Sequence, residues 1–354
     1  MGKLIAPFLV RLTPLTRRRW ANFCANKRGY WSFIIFISLF GTSLFAELIA
    51  NDKPLLVSYK NTLYFPVFRP YKETEFGGQF ETEADYLDTY TTQLIVDQGG
   101  WILWPMVRYS HNTIDYYLDQ PAPTPPSPNH LLGTDIYGKD VLANLIYGVR
   151  LSFLFAIVLT ICSSIIGITV GAIQGFFGGT IDLIGQRLIE IWAGLPMLFI
   201  LIILASIVDS NIYWLLGILI AFSWMSLVGV VRAEFLRTRN LPFVMAARAM
   251  GMGNARIMRR HILPNAMVAT ITFLPFILTG SITLLTSLDF LGFGLPADSP
   301  SLGRLLAQGR TNMHAPWLGL TTVLTLASML TLLIFTGEAV RDAFDPRRDV
   351  AASS

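Results

Sequence analysis

Residues 151–173 read LSFLFAIVLTICSSIIGITVGAI, an unbroken run with no acidic or basic side chain. A helix needs about 20 mostly apolar residues to cross the hydrocarbon core of a bilayer. A soluble protein can bury one such run, so the flanking sequence decides the matter. Five further stretches qualify: 31–49, charged only at Glu47; 191–208, which can begin as early as Ile181; 212–231; 266–288; and 317–337. Six runs of this kind cannot be packed inside one soluble core. Composition agrees, because the 354 residues are 53% hydrophobic and 14% charged, where soluble domains carry about 25% charged residues. The mean hydropathy is +0.52. The sequence predicts an all-α polytopic membrane protein with six transmembrane helices.

Lysine and arginine set the orientation, since cytoplasmic loops retain positive charge. The N-terminal stretch carries Lys3, Arg11, Arg17, Arg18, Arg19, Lys27 and Arg28 and no acid. The loop after the fourth run holds Arg232, Arg237, Arg239, Arg248, Arg256, Arg259 and Arg260 against Glu234, and the C-terminal tail holds Arg341, Arg347 and Arg348. The segment after the first run is acidic, with Glu73, Glu75, Glu81, Glu83, Asp85 and Asp88. Both termini are therefore expected in the cytoplasm, as six crossings require. The first run starts after thirty residues and lacks a small-x-small cleavage site, so a retained helix is expected rather than a cleaved signal.

These readings divide the chain into residues 1–50 (tail and first helix), 51–130 (an extracytoplasmic insert), 131–342 (a helical core with a cytoplasmic loop at 232–265) and 343–354 (a tail). The insert is rich in aromatic residues (LYFPVF, 63–68; GGWILWPMV, 99–107). That argues against disorder and for short strands or turns packed as a lid. It ends in PAPTPPSP, 121–128, expected to form a stiff polyproline II spacer.

Catalytic chemistry finds little support. Cys24 and Cys162 suggest no disulfide framework. His111, His130, His261 and His314 show no metal-ligand spacing and read as ordinary polar residues. GTDIYGKD, 133–140, fits the Gly and Lys positions of a phosphate-binding loop, but Asp140 stands where Ser or Thr must hold magnesium and Asp135 would repel phosphate. Its glycines and Asp135 are better read as a turn that leads into the second span. Pro196 and Pro275 should kink spans three and five, and Arg187 and Glu190 should pair on one helical face. No cofactor, metal or nucleic acid is called for.

The basic loop carries one more pattern, FVMAARAMGMGNARIMRRHILPN, 243–265. Pro242 suits a first helical turn, and Phe243, Ala246, Ala247 and Met250 recur at helical spacing. Gly251 and Gly253 bracket a break, Asn254 reads as the N-cap of a second short helix, and Pro264 is expected to close it. Small residues on an exposed helical face suggest a knob for another protein's groove.

This stretch resembles the loop motif of binding-protein-dependent ABC importer permeases, E-A-A, three residues, G, nine residues, I-x-L-P. Ala246, Ala247, Gly251, Leu263 and Pro264 match it; Met245 replaces the glutamate and His261 the isoleucine. LLGTDIYGKDVLANLIYGVRLS (131–152), GFFGGTIDLIGQR (175–187), LDFLGFGLP with PSLGRLLAQGR, and VRDAFDPR (340–347) are similar to C-type permeases of the oligopeptide and dipeptide branch. ELIANDKPLLVSY and GVVRAEFLRTRN further resemble the Yej-type members of that branch, associated with peptides and microcin C.

The resemblance implies a type I importer permease in a bacterial inner membrane, without enzymatic activity. Phe243, Ala246, Ala247, Met250, Gly251, Leu263 and Pro264 would couple it to an ATPase. It implies a second homologous permease, two ATP-binding domains on one fused chain or two, a periplasmic solute-binding protein, a peptide substrate and surrounding lipid. The alternative is a self-contained secondary transporter or channel, which should show intramembrane ionisable residues or an inverted repeat. A membrane-embedded enzyme would need facing acids, histidines or a nucleophile within the spans.

Overall fold

The computed structural model of the chain describes residues 14–208 and 211–344. Lys3, Arg11, Arg347 and Arg348, on which the orientation reading draws, lie outside the described residues, as does most of the 343–354 tail. The described residues are mainly helical, with one small sheet and irregular loops in the stretch 50–140. In order come α1 (Pro14–Ala25), α2 (Lys27–Leu44), α3 (Ala46–Ile49), β1 (Leu56–Tyr59), β2 (Thr62–Tyr64), α4 (Thr89–Asp97) and β3 (Trp101–Leu103). Then follow α5 (Val141–Phe177), α6 (Gly179–Ala193), α7 (Met197–Ala205), α8 (Ile212–Ser223), α9 (Met225–Thr238), α10 (Pro242–Ala249), α11 (Asn254–Ile257), α12 (Leu263–Leu291), α13 (Leu302–Thr311) and α14 (Pro316–Phe344).

Among the described residues, four helical runs are long and apolar enough to cross a membrane: Val141–Phe177, Ile212–Thr238, Asn254–Leu291 and Pro316–Phe344. A fifth arises if α6 and α7, bent by 60°, form one span. The expected first span, 31–49, is helical but falls outside this group. Its helix α2 has 18 residues, begins on Lys27 and Arg28, and gives way to α3 at Phe45. At 1.5 Å per residue the 37 residues of α5 extend about 55 Å, well beyond a hydrocarbon core of about 30 Å. Pro196 does more than kink its span: Gly194 caps α6, Pro196 caps α7, and the helix is broken between them. Pro275 lies inside α12, where the Thr279 hydroxyl donates to its carbonyl at 2.9 Å.

Contacts divide the chain into two units. Among the described residues, the first comprises 14–37, 154–285 and 328–344. Its packing centres on the pair α5 and α9. Gly167, Gly171 and Gly175 fall four residues apart on α5, and a Cβ at these positions would lie 2.5, 2.8 and 2.5 Å from the carbonyl oxygens of Trp224, Val228 and Arg232. Only glycine lets the two backbones touch in this way. Replacing Gly171 by leucine should therefore cost about 1–3 kcal/mol of overpacking. The readout is a lower thermal unfolding midpoint of the detergent-solubilised chain, and an unchanged midpoint would contradict the close approach. The Arg232 guanidinium also grips the Asp182 carboxylate through Nε and Nη2, tying α9 to the first turn of α6. Arg187 and Glu190 pair on α6 as expected, on an exposed face.

The second unit comprises 38–153 and 286–327. The insert folds around aromatic side chains: Val57, Tyr59, Phe76, Tyr86 and Ile95 form its core. β1 is the central strand, antiparallel to β2 and β3 in the order β2-β1-β3. Lys60 and Asn61, both at positive φ, make the two-residue turn that matches the twist of the β1–β2 hairpin. The proline-rich stretch is no free spacer. The Thr124 carbonyl accepts from Thr134 N, and Ser127 N donates to the His130 carbonyl, folding the stretch back onto the run into α5. There Asp135 accepts from the N–H groups of Tyr137 and Lys139, and Asp140 accepts from Ala143 N and so caps α5. The insert is also tied to α5 by Tyr147, which donates to the Ala50 carbonyl at 2.9 Å, and by Arg150, which binds both carboxylate oxygens of Glu47 at 2.8 Å.

The reading of every histidine as an ordinary polar residue fails at His130. It is 2% exposed, with Nδ1 2.8 Å from Asp140 Oδ2 and Nε2 3.1 Å from Asp115 Oδ2, and its ring stacks on Tyr109. Burial alone would lower its pKa, but the hydrogen bonds to Asp140 and Asp115 outweigh this and hold it above the ordinary histidine value. Burial works against the Asp115 carboxylate as well. The Tyr117 N–H, His130 and the Tyr109 hydroxyl overcome it and hold that carboxyl below its usual value. The spacings involved, ten and fifteen residues across a turn-rich segment, match no helix or strand period.

Candidate docking surface at residues 238–265

α9 ends at Thr238, and a turn from the Thr238 carbonyl to Leu241 N leads into α10, with Pro242 at its first position. The missing N–H of Pro242 costs nothing there, because first-turn N–H groups have no partner within a helix. α10 closes in a Schellman arrangement. Gly251 N donates to Arg248 O and Met252 N to Ala247 O, while Gly251 adopts φ +77°. Gly251→Pro would remove the first bond and forbid the left-handed φ at once. The expected outcome is an elbow that no longer holds α10 and α11 together, seen as faster amide hydrogen exchange across 242–262 in a chain that still inserts.

The second half departs from expectation in two respects. The N-cap of α11 is Gly253, and Asn254 is already its first helical residue, with no side-chain cap. Pro264 does not close the helix: α11 passes through a π turn at Met258–Ile262 directly into α12. A proline ring collides with the carbonyl four residues back in a regular helix. The wider π turn just before it accommodates the ring, so the elbow is continuous with a membrane-crossing helix.

The structure splits the expected face in two. Val244 and Ala247 point inward, together with Ile257, Ile262 and Ala266, onto Ala172 and Phe176 of α5 and Val231 and Phe235 of α9. Ala247 is 1% exposed and cannot itself touch another protein. Phe243 and Met250, 42% and 70% exposed, lie outward with Ala246 between them, three and seven residues from Phe243. Leu263 packs against the inner cluster and Pro264 is exposed. Arg256, Arg259 and Arg260 are exposed nearby, and Arg248 sits over the Phe176 ring. Arg239 donates to the carbonyls of Gly175 and Phe176 and so covers the C-terminus of α5. His261, in the motif's isoleucine position, is half-buried with Nε2 enclosed and unpartnered.

The result is an apolar outward stripe with a basic surround, anchored by its inner face to the ends of two long helices. An apolar centre with a polar rim is the anatomy of a protein interface. The inward anchor was legible in principle, since Val244 and Ala247 are three residues apart. The five-residue step from Ile257 to Ile262 fits only the π turn, which no regular period announces.

Residues 167–350 match the family described as binding-protein-dependent transport system inner membrane component, and the chain belongs to that family. It is a membrane-embedded permease subunit of an ABC importer, which works with separate ATP-binding subunits and does not itself hydrolyse ATP. Across 96% of its length it is 57% identical to the inner membrane ABC transporter permease protein YejE of Escherichia coli, covering 99% of that protein. It is 53% identical to the peptidoglycan transport system permease protein YejE of Agrobacterium fabrum, over 98% of this chain and 96% of that one. The oligopeptide transport system permease protein OppC of Lactococcus lactis subsp. cremoris is 34% identical over 75% of this chain and 87% of its own length. Among solved structures, the inward-facing MetNI methionine ABC transporter aligns with a TM-score of 0.47 and 16% identity, over 57% of this chain and 96% of that chain.

Proposed function

We propose that the chain forms one half of a pathway that imports peptides or peptide-like compounds across the bacterial inner membrane, moved by an ATPase docked on residues 241–264. One observation carries this reading: Phe243, Ala246 and Met250 are free on the outside of an elbow whose inside is locked to α5, α9 and α12. A partner that pulls on the outer face must move the helices. Such coupling requires the partner to hold the elbow differently in its two nucleotide states, since equal affinity shifts nothing. In this reading Phe243, Ala246 and Met250 make the contact, while Ala247, Gly251, Leu263 and Pro264 shape the elbow. Both termini and the elbow face the cytoplasm and the 51–130 insert faces the periplasm, beside a solute-binding protein. A second permease closes the pathway. The peptide class rests on the relatives named for oligopeptide and peptidoglycan transport.

Two measurements test it. A cysteine at Ala246 should crosslink to the ATPase with an efficiency that changes on nucleotide binding, and should resist impermeant thiol reagents added outside intact cells. Labelling from outside would overturn the orientation. Uptake of labelled peptides of graded length in a strain lacking the chain tests the substrate class.

A further inference from the structure

The elbow accounts for one end of the transport cycle and leaves the insert without a task. The insert carries a cleft of about 930 Å³. Trp101 and Ile102 of β3 line it, with Trp104 and Met106 beyond them and Thr92 and Val96 of α4 opposite. The strand order β2-β1-β3 puts β3 at the sheet edge, with β1 on one side only. An open strand edge is a template on which an extended chain can add main-chain hydrogen bonds. The volume falls near the top of the range for small-ligand sites, about 300–1,000 Å³.

The cleft shares Tyr86, Leu87, Tyr109 and Asn129 with a second cavity of about 520 Å³. That cavity is lined by Asp52, Glu83, Asp85, Asp88 and Asp115, against Lys53, which is already engaged by Glu83. The first cleft has the opposite sign. Its charged lining residue is Arg108, exposed and held over the Trp104 ring. The two cavities meet at Tyr86, Leu87, Tyr109 and Asn129, so an acidic lining adjoins a cleft that holds the edge strand β3 and Arg108. This is the charge pattern of a short peptide with a free amino group and a free carboxylate.

We propose that the insert binds the transported peptide directly, extended along the free edge of β3, with its amino group over the acidic cavity and its carboxylate at Arg108. The inference rests on the peptide reading above and deepens it. An arginine fork matches a carboxylate in two parallel hydrogen bonds. Main-chain pairing along the strand ignores side-chain identity, which suits a carrier of varied peptides.

The test uses the full chain in lipid nanodiscs, titrated calorimetrically with tetra-alanine and with its N-acetylated, C-amidated and backbone N-methylated forms. Free tetra-alanine should bind, and each modification should weaken binding about tenfold, the loss of one charge-assisted or main-chain contact. Arg108→Ala should weaken the free peptide to the same degree and leave the C-amidated peptide unchanged. Arg108 is exposed, so the variant should fold as the parent does. The proposal is overturned by no binding of the free peptide, by equal binding of the N-methylated form, by an Arg108→Ala loss shared by both peptides, or by a cleft protected only when a solute-binding protein is added. Peptide uptake by the assembled transporter separates the two claims. Uptake without nanodisc binding removes the groove alone, whereas no peptide uptake removes the peptide reading itself.

Discussion

Tryptophan at Ala246 should abolish coupling while the chain remains folded and inserted. Ala246 is exposed on the outward stripe of α10 between Phe243 and Met250, where a large ring can extend away from the inner cluster. Folding therefore has no reason to change. An ATPase groove shaped for a small side chain would be blocked at the centre of the contact. Disrupted central residues cost interfaces about 2–4 kcal/mol, roughly 30- to 700-fold in affinity. Transport and ATPase co-purification should fall together, with the unfolding midpoint unchanged. Tryptophan at Ala247 should behave differently, because that residue is enclosed by Phe176, Val231 and Phe235. Overpacking there costs about 1–3 kcal/mol or more and should lower the midpoint as well. If both variants fell in stability alike, or if the Ala246 variant transported normally, the division into an inner and an outer face would be wrong.

The second large effect is expected at His130. His130→Leu leaves the carboxylates of Asp115 and Asp140 facing each other without the imidazolium between them. Removing one partner of a buried ionic cluster costs about 3–5 kcal/mol. The Tyr109 hydroxyl still donates to Asp115 Oδ2, which His130 also served, and Ala143 N still donates to Asp140 Oδ1, so the loss falls mainly on Asp140 Oδ2. The wild-type clamp should also depend on pH. Because the folded pKa of His130 is raised, its contribution is complete below the unfolded value, about 6.5, and disappears as pH rises through the folded value. The lowered carboxyl of Asp115 acts in the other direction: its contribution is lost as pH falls through its folded value. Protection of the amides of residues 109–143, taken relative to their intrinsic exchange rates, should therefore be greatest between these limits and fall on the alkaline side. A flat profile, or a His130→Leu chain as stable as the parent, would remove the clamp.

The membrane class was legible because lipid leaves a linear record: apolar runs of about 20 residues with at most one charge, six times over, belong to chains that cross a bilayer. The elbow was legible through Pro242, Gly251 and the paired alanines, whose backbone preferences are local. Pro264 shows where such reading stops. A proline announces the loss of one hydrogen bond, but whether the helix ends or widens into a π turn depends on what Ile257 and Ile262 can bury on either side. Phe45 and Pro196 are similar: helices lie where spans were expected, but the breaks that interrupt them were not legible.

By itself the sequence determined the solvent, the positions of the apolar runs and the small-residue elbow, because each rests on composition or on spacing along the chain. Only tertiary structure decided that Ala247 faces in while Ala246 faces out, that Asp182 belongs to Arg232, that His130 lies between two acids, and that an acidic cavity adjoins the cleft lined by β3 and Arg108. Burial and long-range pairing depend on which surfaces meet after folding, and no local period encodes that meeting.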